Sequence, residues 1–312
     1  MKLISIVFSF KNEEQILPEL IKRVTQSLAK VKNWSYEIVF VNDFSTDNSE
    51  KILIENQKLF PIKIINMSRT FGIGPSVMAG FKHANGDAII YMDADLQDPP
   101  ELIPKLIEEH EKGAEIVHTV RTKRLGESKF KIFITKIAYK IINFLSDITL
   151  PIEAGDFKLI SKRALKDILK QKEFRPYIRG LSVWVGYKQS FVNYVREPRF
   201  SGKTQFPLFG PGPIYQFISG VTAYSLKPLY IGVILGFVSL VVAIMIVVYS
   251  LYLKFNNFSV PGSAGVLVTV AFFSGTILLT LGIIGIYVAR IFEEVRGRDS
   301  YVIKDIKDYP KK

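Results

Sequence analysis

The stretch AIIYMDADLQDPPEL, residues 88–102, decides both the fold and the chemistry expected of this chain. An apolar run from Ile89 to Met92 has β-strand character, and Asp93, Asp95 and Gln97 follow it at alternate positions. Alternate residues of an extended chain point to the same side, so two carboxylates and an amide oxygen are expected to face one point. Hard divalent cations such as Mg²⁺ and Mn²⁺ prefer such oxygen ligands and often bridge them to phosphates. The stretch therefore predicts a Mg²⁺ or Mn²⁺ site, with a polar turn as the plainer alternative.

The end of the same stretch is typical of a helix start. Asp98 is of a residue type that caps helices, Pro99 suits the first helical turn, and Glu101 lies three positions after Asp98. This D-x-x-E spacing predicts a capping box, in which acidic side chains accept hydrogen bonds from the first backbone N–H groups. The segment is expected to pass from a strand, through a polar turn, into a helix.

Strands and helices are predicted to alternate over the first 120 residues. Apolar runs predict strands at 3–10, 36–41, 62–66, 88–92 and 114–120, and helical patterns lie between them at 16–31, 48–58, 72–84 and 101–112. Such alternation predicts a mostly parallel sheet covered by helices on both faces. Ligands of these sheets bind beyond the carboxyl ends of the strands, where Asn12-Glu13, Asn42-Asp43 and Asp93–Asp95 all fall. The sequence thus predicts one composite site.

Composition narrows the function classes. The 312 residues contain no cysteine, which excludes disulfides and thiolate chemistry, and 48% of them are hydrophobic. The formal net charge of +12 suits anionic lipid and phosphate-bearing substrates at least as well as nucleic acid. Nucleic-acid binding is not predicted, because the basic residues are not interleaved with an aromatic platform.

Two long uncharged apolar runs, 229–253 and 265–289, are each long enough to cross a bilayer. Basic residues precede the first run and follow the second, including Lys227, Arg290 and Arg296. Because cytoplasmic segments carry an excess of Lys and Arg, the N-terminal domain and the C-terminal tail are both expected in the cytoplasm. The spans lack ionisable residues, so they are interpreted as an anchor without an ion pathway of its own.

Basic residues cluster in two segments before the spans. The helix expected at 131–145 mixes lysines with Ile and Phe, which indicates a membrane surface or a phosphate-bearing lipid; a solvated basic face is the alternative. The segment 196–203 carries arginine and lysine around Gly202 and is suited to close over a diphosphate. From composition alone it could equally be a basic linker.

A single acidic residue, Asp156, lies in the sequence Ala154-Gly155-Asp156-Phe157. This sequence predicts a glycine-containing turn ahead of a strand at 158–160. An aspartate in such a turn usually bonds to nearby backbone groups. A catalytic role for Asp156 is the alternative.

The motifs together resemble the polyprenyl-phosphate glycosyltransferases of glycosyltransferase family 2, a group that includes dolichyl-phosphate mannose synthases and bactoprenol glucosyltransferases. The resemblance covers nearly the whole chain, and the two spans are most similar to those of the bacterial members. Its most specific part is YMDADLQDPPEL, and it also includes SFKNEE, VNDFSTDNS, INMSRTFG, AGDF and LSVWVGYKQ.

The resemblance implies a GT-A fold and an inverting, metal-dependent transfer of a sugar from a nucleotide sugar. Asp93, Asp95 and Gln97 match the metal and diphosphate site, and Asp95 and Asp156 match catalytic positions. The matches to nucleotide-sugar positions are Asn12, Glu13, Asp43 and Asp93, with Arg199 and Lys203 in a loop that covers the donor. The matches to phosphate or acceptor positions are Arg121, Arg124, Lys131 and Lys136.

The resemblance also implies an organisation and a place in the cell. It divides the chain into a cytoplasmic GT-A domain (1–204), an interfacial juxtamembrane segment with interfacial helices (205–228), a two-helix transmembrane anchor (229–289) and a cytoplasmic tail (290–312). It implies an enzyme of the bacterial inner membrane that modifies the cell envelope and assembles as a homo-oligomer, a tetramer by resemblance. The expected partners are a nucleotide sugar and polyprenyl phosphate, with UDP-glucose favoured as the donor.

The sequence departs from this pattern in two places. Phe44 stands where the motif ND-G-STD usually has glycine, and Gly72–Ser76 lacks a usual basic side chain near the donor. Both departures leave other donors open, namely UDP-GlcNAc, UDP-galactose, UDP-aminoarabinose and GDP-mannose. A processive polymer synthase is disfavoured because its Q-x-x-R-W motif and additional spans do not occur. A non-catalytic membrane scaffold is disfavoured by the intact acid pair.

Overall fold

Strands and helices alternate along the computed structural model, which describes residues 1–125, 128–200, 210–256 and 262–309. The strands are β1 (Lys2–Phe10), β2 (Trp34–Asn42), β3 (Ile62–Met67), β4 (Ala88–Tyr91), β5 (Ile116–Arg124), β6 (Ala154–Ser161), β7 (Gln189–Arg196) and β8 (Ile303–Lys307). The helices are α1 (Leu17–Leu28), α2 (Ser49–Asn56), α3 (Ile73–His83), α4 (Ile103–Glu111), α5 (Lys129–Leu145), α6 (Lys162–Leu169), α7 (Ile178–Trp184), α8 (Pro211–Thr222), α9 (Lys227–Phe255) and α10 (Gly262–Val295).

Within the described residues the strands form one sheet in the order β7-β5-β6-β4-β1-β2-β3-β8. β1 pairs in parallel with β2 and β4, β2 with β3, and β5 with β7. β6 runs antiparallel between β4 and β5, and β8 runs antiparallel to β3. The predicted mostly parallel α/β sheet is confirmed.

Apolar side chains cover both faces of the sheet. Strand alternation sends Phe8 and Phe40 to one face, where their rings stack with centroids 4.9 Å apart, and Val7 and Val41 to the other. On that second face α3 approaches the sheet closely at Gly80, because a Cβ there would collide with the Val7 side chain. Parallel central strands buried on both faces read as continuous apolar runs, which is why they were predictable.

The segment 88–102 differs in detail from the prediction. β4 ends at Tyr91, and Ala94 and Asp95 lie in a turn, so strand alternation does not extend from Asp93 to Asp95. The capping box at Asp98 was wrong. Pro99 is extended, with φ −73° and ψ 122°, and a 3-10 turn beginning at Pro100 leads into α4 without a side-chain cap. Asp98 is instead fully buried and accepts a hydrogen bond from the Tyr194 hydroxyl.

β6 begins at Ala154, four residues earlier than predicted. Ala154 pairs with Val120 of β5, so Gly155 and Asp156 lie within the strand and not in a turn before it. The register between β5 and β6 shifts between His118 and Val120. Because of this irregularity, side-chain alternation did not predict where the strand begins.

The end of the C-terminal tail belongs to the sheet. Ile303–Lys307 forms the edge strand β8 beside β3. Asn66 Nδ2 donates to Asp305 Oδ1 at 2.8 Å, and Lys307 Nζ lies 2.6 Å from Glu50 Oε1. The tail therefore returns to the sheet from which the chain began.

Two helices of the described ranges, α9 and α10, are long and apolar enough to cross a membrane. They extend beyond the predicted spans at both ends, because Lys227 and Lys254 fall inside α9 and Arg290 inside α10. α8 precedes them and begins at Pro211, a first-turn position that tolerates proline. The predicted transmembrane segments and the juxtamembrane helix are therefore present as helices.

Substitutions in β8 test its pairing with β3. We expect Asp305→Ala to lower the free energy of unfolding by about 1 kcal/mol, because one N–H of the buried Asn66 loses its acceptor. Lys304→Ala, at an exposed position of the same strand, should stay within about 0.5 kcal/mol of wild type. Denaturant unfolding of the solubilised protein measures both. Equal effects of the two substitutions would contradict the pairing.

Candidate active site

The polar residues predicted to meet do so at one edge of the sheet. Asn12 and Glu13 follow β1, Asp43 follows β2, and Asp93 and Asp95 follow β4. Parallel strands bring their carboxyl ends to the same edge, so the fold itself assembles this group. The segment after β7 lies beside it, since the Glu197 N–H donates to the Gln97 carbonyl at 3.0 Å.

Asn12 and Asp43 bond chiefly to neighbouring backbone. The Asn12 Oδ1 accepts from the Thr46 N–H at 2.7 Å. The two Asp43 carboxylate oxygens accept from the N–H groups of Phe71, at 2.7 Å, and Gly72, at 2.9 Å. Gly72 has a φ of 91°, a conformation that glycine adopts readily. These side chains therefore fix the loops after β1, β2 and β3 to one another.

Arg199 bridges two acidic residues of the candidate site. Its Nη2 lies 2.6 Å from Glu13 Oε1, and its Nη1 lies 3.5 Å from Asp95 Oδ2. Burial raises the pKa of Glu13, and the Arg199 charge opposes that rise. The structure thus joins the loop after β7 to the ends of β1 and β4. Lys203, expected in the same loop, lies outside the described residues.

The acid pair after β4 carries crowded negative charge. Burial, together with charge repulsion from Asp156, Asp95 and Asp98, raises the pKa of Asp93 to about 7. The Tyr91 hydroxyl donates to Asp93 Oδ1 at 3.1 Å. Burial also raises the pKa of Asp95, whose Oδ1 accepts from the Gln97 N–H at 3.1 Å. Two half-buried carboxylates held this close favour either protonation or a bound cation.

Asp98, which was predicted to cap a helix, is instead a buried carboxylate between two arginines. It lies 3.7 Å from Arg121 Nη2 and 3.6 Å from Arg196 Nε, and it accepts from the Tyr194 hydroxyl. Arg121 Nε donates to that same hydroxyl at 3.0 Å. Asp98 therefore connects the turn after β4 to β5 and β7. No sequence signal separates a buried Asp of this kind from an N-cap.

Asp156 is held by a residue that sequence reasoning did not place in the site. Arg179 of α7 donates from Nε to Asp156 Oδ1 at 2.8 Å and from Nη2 to Oδ2. Burial alone would raise the pKa of Asp156, but the Arg179 guanidinium holds it well below its ordinary value. Both oxygens are thus engaged and the group stays ionised, which suits positioning better than proton transfer. The available signal was Arg179 itself, the one charged residue of the run YIRGLSVWV, 177–185.

Gly155 makes room for Arg121. A Cβ on Gly155 would lie 2.5 Å from Arg121 Nη2, so the guanidinium passes directly over the β6 backbone. This contact explains the glycine that precedes Asp156. Arg121 is accordingly part of the same cluster as Asp98, and its charge also lowers the pKa of Asp156.

The remaining basic candidates lie farther out. Arg124, at the end of β5, pairs with Glu153 at 2.7 Å. Lys131 and Lys136 lie on α5, where Lys131 is half-buried and Lys136 exposed. The structure thus brings Arg121 and Arg199 to the acids, pairs Arg124 with Glu153 and places the two lysines on α5.

The fold and the acid pair beyond its central strand define a glycosyltransferase with a GT-A-like domain. The glycosyl transferase family 2 profile matches residues 5–169. The chain belongs to glycosyl transferase family 2, as its motifs indicated.

Two relatives by sequence, each matched over more than nine-tenths of its length, support this assignment. An uncharacterized glycosyltransferase of Bacillus subtilis, YkcC, is 39% identical over 302 residues, which cover 96% of this chain and 93% of the relative. A prophage bactoprenol glucosyl transferase homolog of Escherichia coli is 34% identical, over 97% of this chain and 99% of the relative. Among solved structures, glucosyl-3-phosphoglycerate synthase from Mycobacterium tuberculosis is similar with a TM-score of 0.47 at 16% identity, over 70% of this chain and 80% of that one.

The raised pKa of Asp93 predicts a pH-dependent stability. In the folded protein the carboxyl binds its proton up to a pH of about 7, whereas in the unfolded chain it ionises near its ordinary 3.8. Asp93 therefore adds stability at low pH that is lost as the pH rises from about 4 to about 7. The loss is at most about 1.4 kcal/mol per pH unit.

Asp93→Asn isolates this contribution. Without divalent cations, the variant should gain stability relative to wild type as the pH rises from 5 to 7.5. His118, whose pKa burial lowers to about 3, acts in the opposite direction in both proteins and cancels in the difference. Thermal unfolding across this pH range measures that difference. A difference that does not change with pH would contradict the assigned pKa.

Proposed function

We propose that the protein transfers a sugar, with inversion, from a nucleotide sugar to polyprenyl phosphate at the cytoplasmic face of the membrane. UDP-glucose is the favoured donor and undecaprenyl phosphate the favoured acceptor. The observation that carries the proposal is the attachment of a family 2 acid site to two long apolar helices within one chain. Similar relatives carry the name bactoprenol glucosyl transferase, including those of Shigella phages SfII and SfV.

A divalent cation, Mg²⁺ or Mn²⁺, is proposed at Asp93, Asp95 and Gln97. No group of three or more His, Cys, Asp or Glu side chains suited to a metal occurs among the described residues. Asp93 and Asp95 nevertheless fit a cation that also binds substrate oxygens. Burial raises the pKa of both carboxyls, and a bound cation would stabilise their charged forms. When bound, such a cation stabilises the charge that grows on a leaving nucleotide diphosphate.

Glu13 and Arg199 are proposed to hold the donor. Arg199 lies between Glu13 and Asp95, and its guanidinium matches the bidentate geometry of a diphosphate. A diphosphate beside Asp95 would therefore compete with these carboxylates for Arg199. The loop after β7 would then close over the donor with Arg199 as its contact.

Asp156 and Arg121 are proposed to hold the acceptor side. A phosphate monoester has its second pKa near about 6, so the acceptor oxygen already carries charge at neutral pH. A strong general base is not required, which agrees with an Asp156 that stays ionised and paired with Arg179. In-line attack on the sugar from the side opposite the leaving diphosphate gives a single inversion.

The pairing of β8 with β3 supports the proposed orientation. β3 lies before both apolar helices and β8 after them, yet they are adjacent strands of one sheet. A chain that crosses a bilayer twice returns to its starting side, as this pairing requires. With Lys227 and Arg290 at the membrane ends, that side is proposed to be the cytoplasm.

The orientation can be tested by site-specific labelling. A cysteine introduced at exposed Lys304 and one introduced at exposed Leu59 should both resist a membrane-impermeant maleimide in intact cells, and both should react after lysis. The chain contains no other cysteine to interfere. Labelling of one position but not the other in intact cells would contradict the double crossing.

The identity of the donor depends on residues near Phe44. Phe44 has a φ of 64°, a left-handed conformation that costs a bulky residue energy, and its side chain is 48% exposed. It follows Asp43, which anchors the loop after β3. UDP-GlcNAc, UDP-galactose, UDP-aminoarabinose and GDP-mannose are the alternative donors for the same reaction.

The proposed reaction is tested with purified protein, undecaprenyl phosphate, Mg²⁺ or Mn²⁺ and a panel of nucleotide sugars. We expect one donor to give a polyprenyl-phosphate sugar, and Asp95→Asn to lower the rate by at least about a hundredfold, because the cation loses a ligand. Asp299→Asn, at an exposed position, is the matched control and should retain wild-type activity. Near-normal activity of Asp95→Asn with added cation would reject the proposed site.

A further inference from the structure

Helix α5 presents two different faces. Phe130, Phe133, Ile137, Ile141 and Phe144 are all exposed. With about 100° between successive residues, they lie in one stripe along the helix. Tyr139 lies on the opposite side and is buried. The apolar stripe is flanked by exposed Lys136 and Lys140, a pattern typical of a helix seated at a lipid surface.

The inner face of α5 reaches the candidate active site through Tyr139. Arg179 Nη1 donates to the Tyr139 hydroxyl at 2.7 Å. The other two donor groups of the same guanidinium, Nε and Nη2, bind Asp156. A single guanidinium therefore joins the helix with the apolar stripe to the acid of β6, and its orientation depends on both partners.

The position of α5 is in turn tied to the transmembrane helices. Lys227, the first residue of α9, donates from Nζ to the Ser146 carbonyl at 3.2 Å, just after α5 ends. The Asp147 N–H donates to the Tyr224 carbonyl at 3.0 Å, between α8 and α9. Ile142 of α5 packs at Gly220 of α8, where a Cβ would lie 3.0 Å from its Cδ1. A shift of α5 at the membrane would thus be transmitted to Tyr139.

We propose that Tyr139 is a positioning residue that couples the seating of α5 in the lipid surface to the orientation of Arg179 and Asp156. The inference rests on the proposed transfer to a lipid phosphate. With α5 seated, the Tyr139 hydroxyl holds Arg179 Nη1 and leaves Asp156 in its bidentate pair. When α5 is displaced from the lipid, Arg179 loses this third partner and the acceptor side loses its fixed geometry. The rate of turnover therefore depends on a bilayer, whereas binding of the nucleotide sugar does not.

The coupling is tested by comparing activity in lipid nanodiscs with activity in detergent toward a short-chain, water-soluble prenyl phosphate. Wild type should be activated by the bilayer. Tyr139→Phe, which removes only the hydroxyl, should lower kcat by roughly 10- to 100-fold in nanodiscs, the range for losing a hydrogen bond to a charged group. KM for the nucleotide sugar should remain within about twofold, because the Glu13–Arg199 end is untouched. Tyr36→Phe, a half-buried tyrosine of β2, is the matched control.

Substitutions in the apolar stripe give an independent test of the coupling. The double variant Phe133→Ser/Ile137→Ser should lose bilayer activation, whereas Leu59→Ser, at a remote exposed apolar residue, should keep it. Adding Tyr139→Phe to the stripe variant should lower kcat little further, since both changes interrupt one path. Fully additive losses would overturn the coupling.

Two further outcomes separate the inference from the proposed function. If wild type transfers no sugar from any donor to any prenyl phosphate, the proposed function fails. If wild type is active and Tyr139→Phe keeps both its kcat and its bilayer activation, the inference alone fails. Should Tyr139→Phe prove unstable, Arg179→Lys keeps the charge but cannot bridge Asp156 and Tyr139, and wild-type behaviour of that variant would equally overturn the proposal.

Discussion

The crowding of carboxylates beyond β4 is the constraint on which the rest of the site depends. Burial and the neighbouring charges of Asp156, Asp95 and Asp98 together raise the pKa of Asp93 to about 7. Like charges that are removed from water repel strongly, so the arrangement persists only where cations stand between them. Arginines fill this role at distinct points, and they come from separate elements: Arg121 from β5, Arg179 from α7, Arg196 from β7 and Arg199 from the loop after it. The charges thereby bind the antiparallel part of the sheet to the parallel part, and breaking one buried pair by removing a single partner costs about 3–5 kcal/mol.

The parallel half of the fold could be predicted from the sequence because its signals are local. Strands buried on both faces are continuous apolar runs, and the intervening helices repeat with their own period. β8 was missed because a short strand at the sheet edge has one exposed face and needs β3, more than 230 residues earlier, to define it. The start of β6 was missed because its pairing with β5 shifts register.

The acidic residues of the candidate site could be predicted from the sequence, whereas most of the arginines that pair with them could not. Asp93 and Asp95 follow a recognisable strand, so their place at the sheet edge follows from topology, although the alternation argument for their common direction was wrong. Which arginine meets which acid depends on three-dimensional packing. Arg179 lies 23 residues after Asp156, and its only local mark is a lone charge in an apolar run. Asp98 was predicted wrongly for a different reason. Its residue type favours helix caps, but the side chain is buried beside Arg121 and Arg196.

The hydrogen-bond and ion-pair partners of the acids divide the site into two sides, which correspond to the donor and the acceptor of the proposed reaction. Glu13, Asp95 and Arg199 form one side of the site, Asp156, Arg179 and Tyr139 form the other, and Asp93 interacts by charge with acids of both sides. An ionised Asp156 would repel an anionic acceptor if it stood alone. Arg179 and Arg121 offset that charge, so in the proposed reaction Asp156 would hold the Arg179 guanidinium in place for an arriving lipid phosphate. Both oxygens of this carboxylate are bonded to Arg179, and the proposed reaction does not require it to take a proton, because the phosphate brings its own negative oxygen. The acid near the acceptor is therefore better understood as part of a phosphate-binding arrangement than as a general base.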